Sequence, residues 1–200
     1  MFNDRNVINT QALLIHNSLD RYALTVFHTH SIVYRDLKPD NIGFDVRGDV
    51  KIFDFGLAKE MRKEDLVSDD LYDMSGNTGS LRYMAPEVAR RMPYNASVDV
   101  YSFAILFWQI CSLEVPFATF DVNKHSELVV HGNERPKLDK NWSPELCELI
   151  TQSWSANISE RPDFSFVSGI LRREFSPYIS DAEACGLDES SKTAKSLQNR

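Results

Sequence analysis

Four side chains in one part of this 200-residue sequence could act together on a phosphate ester: Asp36, Lys38, Asn41 and Asp54. A carboxylate can take or orient the proton of an attacking hydroxyl. An ammonium two residues on can lie beside negative charge as it moves. An amide and a second carboxylate offer the hard oxygen atoms that magnesium prefers. Phosphoryl transfer asks for these parts: a proton acceptor, a divalent cation over the phosphates and a positive charge near the transferred group. Alone, each residue is a common turn former, because Asp, Asn and Pro all favour turns. The weight rests on the ordered set, which runs Tyr34-Arg35-Asp36-Leu37-Lys38-Pro39-Asp40-Asn41, then Asp54-Phe55-Gly56, then Ala85-Pro86-Glu87.

These residues need a frame. Ile42-Gly43-Phe44 and Val50-Lys51-Ile52-Phe53 flank the turn Asp45–Asp49 and predict a β-hairpin. Its two ends would bring Asn41 and Asp54 together. Upstream, Ala12, His16, Leu19, Ala23 and Val26–Phe27 recur at helical spacing, and Ile32-Val33-Tyr34 is a short apolar step. From Ala58 to Gly79 the chain is charge-rich without a clean period. It reads as a long mobile loop, and loops of that length are usually functional. Helix is expected around Glu87–Arg91, strongly from Val98 to Leu113 with Pro116 as its stop, and over Asn123–Val130. Ser143-Pro144-Glu145 is a capped helix start running to about Ser153. Phe166, Val167, Ile170, Leu171 and Phe175 form one face of a last helix. From Ser176 the chain turns polar and Ser-rich, and a disordered tail is expected over 176–200. The fold class is mainly α with a small β-hairpin.

Composition narrows the function. Apolar residues make up 42% and the net charge is −7, so the chain can bury a core and lacks the positive surface that nucleic-acid binding needs. Cys111, Cys147 and Cys185 form no CxxC pair, which argues for free thiols rather than disulfides or zinc. The N-terminus has no apolar core of a secretory signal. The longest apolar run, Phe103–Cys111, is about half of the ~20 residues that span a bilayer. A cytoplasmic protein without membrane insertion is expected.

The three clusters resemble the catalytic loop (34–41), magnesium loop and activation segment (54–87) of eukaryotic protein kinases. Thr78–Val88 and Asp99-Val100-Tyr101-Ser102-Phe103 are most similar to the tyrosine-kinase-like group, while Lys38 favours Ser/Thr specificity. The resemblance covers about Ala12 to Phe175, with residues 1–175 read as the larger, C-terminal lobe of a kinase domain. It implies ATP and Mg2+ as cofactors and a protein substrate with a Ser or Thr acceptor. Asp36 would be the catalytic base, Lys38 the cation at the phosphate, and Asn41 and Asp54 the magnesium ligands. Ser80 would hydrogen-bond near Asp36 and Lys38 on the peptide side. Asp99 would hold the backbone of the catalytic loop, and Arg161 of Glu160-Arg161-Pro162 would pair with Glu87 in a buried structural bridge. Arg35 implies regulation by an upstream kinase through Ser68, Tyr72, Ser75 or Thr78, with Ser75 and Thr78 first because they lie nearest Gly79.

Two departures from the family pattern concern individual residues. Tyr34 stands where the family most often has His. Gly43 stands where an aliphatic side chain usually lies under the adenine ring, a loss of about 1–2 kcal/mol of apolar contact. A third departure is that no glycine precedes Gly43, so the Gly-rich loop, strand Lys and helix Glu of the smaller lobe have no counterpart before Asp36. Little activity is therefore expected of these 200 residues alone. A lobe that binds partners without catalysis is the alternative.

Overall fold

The computed structural model describes residues 24–46 and 50–184, with side chains through Ser176. The helical periodicity over residues 12–23 lies outside the described residues. Its end is the short helix α1 (Thr25–Thr29), which leads through a left-handed Ser31 into β1 (Ile32–Val33).

The expected hairpin forms. β2 (Ile42–Phe44) pairs antiparallel with β3 (Val50–Ile52), setting Ile42 opposite Ile52, Gly43 opposite Lys51 and Phe44 opposite Val50. The backbone N–H of Phe53 donates to the Asn41 carbonyl at 2.8 Å, extending the ladder to Asn41 and Phe53. Alternation along the strands therefore puts Asn41, Gly43, Lys51 and Phe53 on one face of the hairpin.

The expected mobile loop is instead built of short pairings, so two further strand pairs join the single hairpin. β4 (Lys59–Glu60) pairs with β1. β5 (Leu66–Ser68) pairs with β6 (Leu71–Tyr72), and Tyr72 also bridges to Tyr94. Each of these strands has only two or three residues, and β5 is exposed throughout, so no alternation of buried and exposed positions marks it. The β1–β4 pair joins segments far apart in sequence, which no local pattern records.

The helices enclose the core. α2 (Pro86–Ala89) precedes α3 (Ser97–Ser112), in which Val98 through Trp108 are all buried. A helix apolar on all sides is an interior helix. It ends at Leu113 in a left-handed cap, three residues before Pro116. Asp121 caps α4 (Val122–His125) by accepting from the Lys124 N–H at 2.7 Å, and a wide turn of helix over Ser126–His131 follows. Ser143 caps α5 (Pro144–Ser153) by accepting from the Leu146 N–H at 3.1 Å.

α6 spans Phe164–Ala184, so helix continues past Phe175 into the segment expected to be a disordered tail. Extending a formed helix costs far less than starting one. Residues 185–200 lie outside the described residues. Phe103 packs edge-on against Phe164 (5.6 Å) and stacks on Phe107 (5.5 Å), joining α3 to α6. No helix among the described residues is long and apolar enough to cross a membrane. Cys111 and Cys147 are free thiols, and burial pushes the Cys111 thiol up to about 12.

Candidate active site

The segment from Tyr34 to Asn41 runs between β1 and β2 and is fixed from below by the interior helix α3. The Asp99 carboxylate, fully buried in the first turn of that helix, accepts from the Tyr34 N–H and the Arg35 N–H, both at 2.8 Å. His28 Nε2 lies 3.0 Å from its Oδ2. A buried carboxylate without such partners would be very costly. Arg35 itself is left-handed (φ 72°), a conformation these two bonds help to hold.

Asp36 is the hub. Only 7% exposed, it receives the Lys38 ammonium on Oδ2 at 2.7 Å and the Asn41 side-chain amide on Oδ2 at 3.0 Å. The same amide donates to the Asp36 carbonyl at 2.9 Å. Ser80 donates both its N–H and its hydroxyl to Asp36 Oδ1 at 3.0 Å. Ser80 can come so close because its neighbour Gly79 has φ +97°, and a Cβ there would lie 2.3 Å from the Arg35 carbonyl oxygen. Carboxylate, ammonium, amide and hydroxyl thus meet although they come from two segments 44 residues apart.

Asp54 lies beyond β3 and is exposed. It is left-handed (φ 55°), and its Oδ1 accepts from the Gly56 N–H at 3.1 Å. Asn41 is anchored next to it by the Phe53–Asn41 backbone bond. Among the described residues no group of three or more His, Cys, Asp or Glu side chains could hold a metal. An amide oxygen and one carboxylate suit magnesium, which typically takes one or two protein oxygens and keeps the rest for water and phosphates. The donor set therefore fits that ion and does not resemble a closed zinc or calcium site.

Tyr34 packs in an aromatic group. Its ring stacks on Phe27 (6.4 Å) and meets the edge of Phe55 (5.8 Å), while its hydroxyl donates to the Phe53 carbonyl. Burial, and secondarily the nearby carboxylates Asp36, Asp54 and Asp99, raise its pKa, so the phenol stays protonated as a donor. Gly43 lies beside an aromatic ring: a Cβ added to it would be 2.8 Å from Cε2 of Phe53.

Arg35 reaches across to the activation-segment side. Its Nε donates to the Leu57 carbonyl at 2.6 Å and its guanidinium to the Ser75 hydroxyl at 2.8 Å and the Tyr94 hydroxyl at 3.0 Å. Tyr94 in turn donates to the Ser75 carbonyl at 2.9 Å. Among the described residues no hydrogen bond joins Thr78 to Arg35; the Thr78 hydroxyl lies near the Ser75 carbonyl (3.1 Å), the Gly76 carbonyl (3.3 Å) and the Ser75 hydroxyl (3.4 Å). Glu87 and Arg161 form a two-pronged buried ion pair at 2.6 and 2.9 Å. The Arg161 Nε donates to the Ser155 carbonyl at 2.9 Å, and its guanidinium lies 5.2 Å from the Tyr101 ring centroid.

His28 and Tyr94 belong to this arrangement and carry no signal in the sequence, while Phe53 and Phe55 enter it from the predicted hairpin strand and the Asp54-Phe55-Gly56 cluster. His28 stands one residue beyond the apolar step of its helix, and Tyr94 lies in a turn without periodicity. The alternation of the predicted strand, carried to its last residue, places Phe53 opposite Asn41.

Comparison with known proteins gives one consistent result. The protein kinase domain matches residues 16–175. The serine/threonine/tyrosine-protein kinase HT1 of Arabidopsis thaliana is 35% identical over 73% of this chain and 36% of its own length. The serine/threonine-protein kinase VIK of the same plant is 38% identical over 66% of this chain and 30% of its own. The dual specificity protein kinase shkB of Dictyostelium discoideum is 34% identical over 72% and 22%. The chain thus spans 22–36% of the length of these relatives.

Proposed function

From the premise that the chain belongs to the protein kinase domain family, we propose that its described residues form the larger lobe of a protein kinase. In this reading the lobe serves transfer of the ATP γ-phosphate to Ser or Thr hydroxyls of a protein. The single observation that carries the reading is the convergence of Lys38, Asn41 and Ser80 on the Asp36 carboxylate.

Asp36 accepts the proton of the substrate hydroxyl, for which its second oxygen is oriented by Ser80. Lys38 puts positive charge beside Asp36, where a transferred phosphoryl group would need it. Asn41 and Asp54 would hold magnesium, which would neutralise phosphate charge when bound. Asp99 keeps the Tyr34–Arg35 backbone in its left-handed turn, so Asp36 needs no reorganisation as charge develops. The Glu87–Arg161 bridge ties the end of the activation segment to the helical core.

Ser75 is the regulatory residue this arrangement favours over Thr78, because the Arg35 guanidinium already contacts its hydroxyl. A phosphate there would gain charge-assisted bonds to Arg35.

The test is labelled phosphate transfer by the protein isolated from its own cells through an antibody to this chain. Phosphoserine or phosphothreonine is expected in a protein substrate, with a loss of about 10²–10⁴-fold on Asp36→Asn. Absence of transfer that depends on Asp36 overturns the kinase reading, and phosphotyrosine as the main product overturns the Ser/Thr preference. The 200 residues alone are expected to transfer little phosphate, and robust transfer by them, lost on Asp36→Asn, contradicts that.

A further inference from the structure

We propose that the Phe53 ring supplies the platform on which the base of the nucleotide rests, taking over from the side chain that Gly43 lacks. The inference deepens the kinase reading and rests on it. Four observations lead there.

The first is register. Asn41, Gly43, Lys51 and Phe53 share one face of the β2–β3 hairpin, because Gly43 stands opposite Lys51 and the Phe53 N–H bonds to the Asn41 carbonyl. A nucleotide whose metal is held at Asn41 and Asp54 extends over that same face.

The second is the close approach of ring and glycine. A Cβ on Gly43 would meet Phe53 Cε2 at 2.8 Å, so the ring occupies the space a side chain on β2 would fill. Glycine at this position and phenylalanine ten residues later make one feature: the ring takes this position without displacement because the side chain is missing.

The third is exposure. Phe53 is 49% exposed although it adjoins the core strand residue Ile52. The half-exposed ring thus presents apolar surface on the face that carries Asn41.

The fourth is anchorage. The Phe53 N–H is bound to Asn41 and its carbonyl to the Tyr34 hydroxyl, so its backbone is held on both sides directly before Asp54. A ring on a fixed backbone loses little freedom when a ligand covers it, which favours stacking. Aromatic side chains stack on bases of any type because every base has a π-face. Phe53 would therefore set affinity for the base while leaving the phosphate contacts to Lys38, Asn41 and Asp54.

The inference is tested by titrating the chain with magnesium–ADP and, separately, with magnesium–tripolyphosphate, following ligand protons and protein amides by NMR. In the wild type the purine H2 and H8 protons are expected to move upfield through the ring current of Phe53. Phe53→Ala and the volume-preserving Phe53→Leu are expected to abolish that shift and weaken ADP about tenfold, with tripolyphosphate affinity unchanged. Gly43→Ala, which pushes on the ring edge without removing it, is expected to reduce the upfield shift. Equal ADP affinity and equal purine shifts in wild type and both Phe53 variants overturn the inference and leave the kinase reading intact. A wild-type chain that binds magnesium–ADP no more tightly than magnesium–tripolyphosphate, with unshifted purine protons, overturns the inference and leaves the kinase reading intact.

Discussion

Asp36 and Asp54 are carboxylates of one proposed site, and the molecule holds them in opposite ways. Asp36 is buried, takes five hydrogen bonds from Lys38, Asn41 and Ser80 to its side chain and carbonyl, and stands on a loop fixed by the buried Asp99. Asp54 is exposed, and the described bond to its side chain comes from its near neighbour Gly56. The group proposed to meet the substrate proton is thus preorganised by the protein. The group proposed to meet the metal stands on an exposed residue, as an ion that retains water and phosphate ligands requires. Rigidity is placed where charge develops, and openness where a ligand must enter.

Breaking the frame beneath Asp36 is expected to give the largest effect. Arg161→Ala leaves Glu87 buried without its counter-ion and should cost about 3–5 kcal/mol of stability in urea denaturation. A loss under about 1 kcal/mol would mean that the bridge does not tie the activation segment to the core. Next is Asp99→Asn, which keeps shape but removes the charge that accepts from Tyr34, Arg35 and His28. About 1.5–3 kcal/mol should be lost, with faster hydrogen exchange at the Tyr34 and Arg35 amides. Unchanged exchange there would separate Asp99 from the preorganisation of Asp36.

The third prediction concerns the open side. Asp54→Asn should change stability by no more than about 0.5 kcal/mol, since the residue is exposed, while removing magnesium dependence from nucleotide binding. A large loss of stability would erase the contrast between the two carboxylates.

The smallest effect sharpens the comparison by isolating a source of acid sensitivity away from both carboxylates. His125 is buried against Phe117, and neither ring nitrogen has a hydrogen-bond partner among the described residues. Burial first, then the charges of Arg82 and Arg135, lower its pKa below the ordinary 6.5. The unfolded chain therefore takes up a proton that the folded chain resists, and stability falls as pH drops below about 6.5. His125→Leu should show a shallower loss between pH 7 and 5 in thermal melts. A slope equal to wild type would assign the acid sensitivity elsewhere.

The placement of both carboxylates around the hairpin was legible in the sequence, for a physical reason. Their neighbours are turn formers at fixed offsets around a hairpin whose alternation is local, so spacing alone brings Asn41 toward Asp54. The reach of Arg161 to Glu87 follows from the family resemblance and not from any local pattern. What stayed illegible depends on contacts between distant, short or exposed segments. β5 buries no alternating face, β1 meets β4 across the whole catalytic loop, and Tyr94 finds Arg35 and Ser75 only after the chain has folded. Gly43 read as a missing contact, because a sequence cannot show that the Phe53 ring fills the gap.

The central claim, that Asp36 is built for the proton and Asp54 with Asn41 for the metal, is tested most directly with manganese in place of magnesium. Paramagnetic Mn2+ with ADP should broaden the amide resonances of Asn41, Asp54, Phe55 and Gly56. The broadening should persist in Asp36→Asn and vanish in Asp54→Asn. Broadening that survives Asp54→Asn, or that disappears only with Asp36→Asn, would contradict the account.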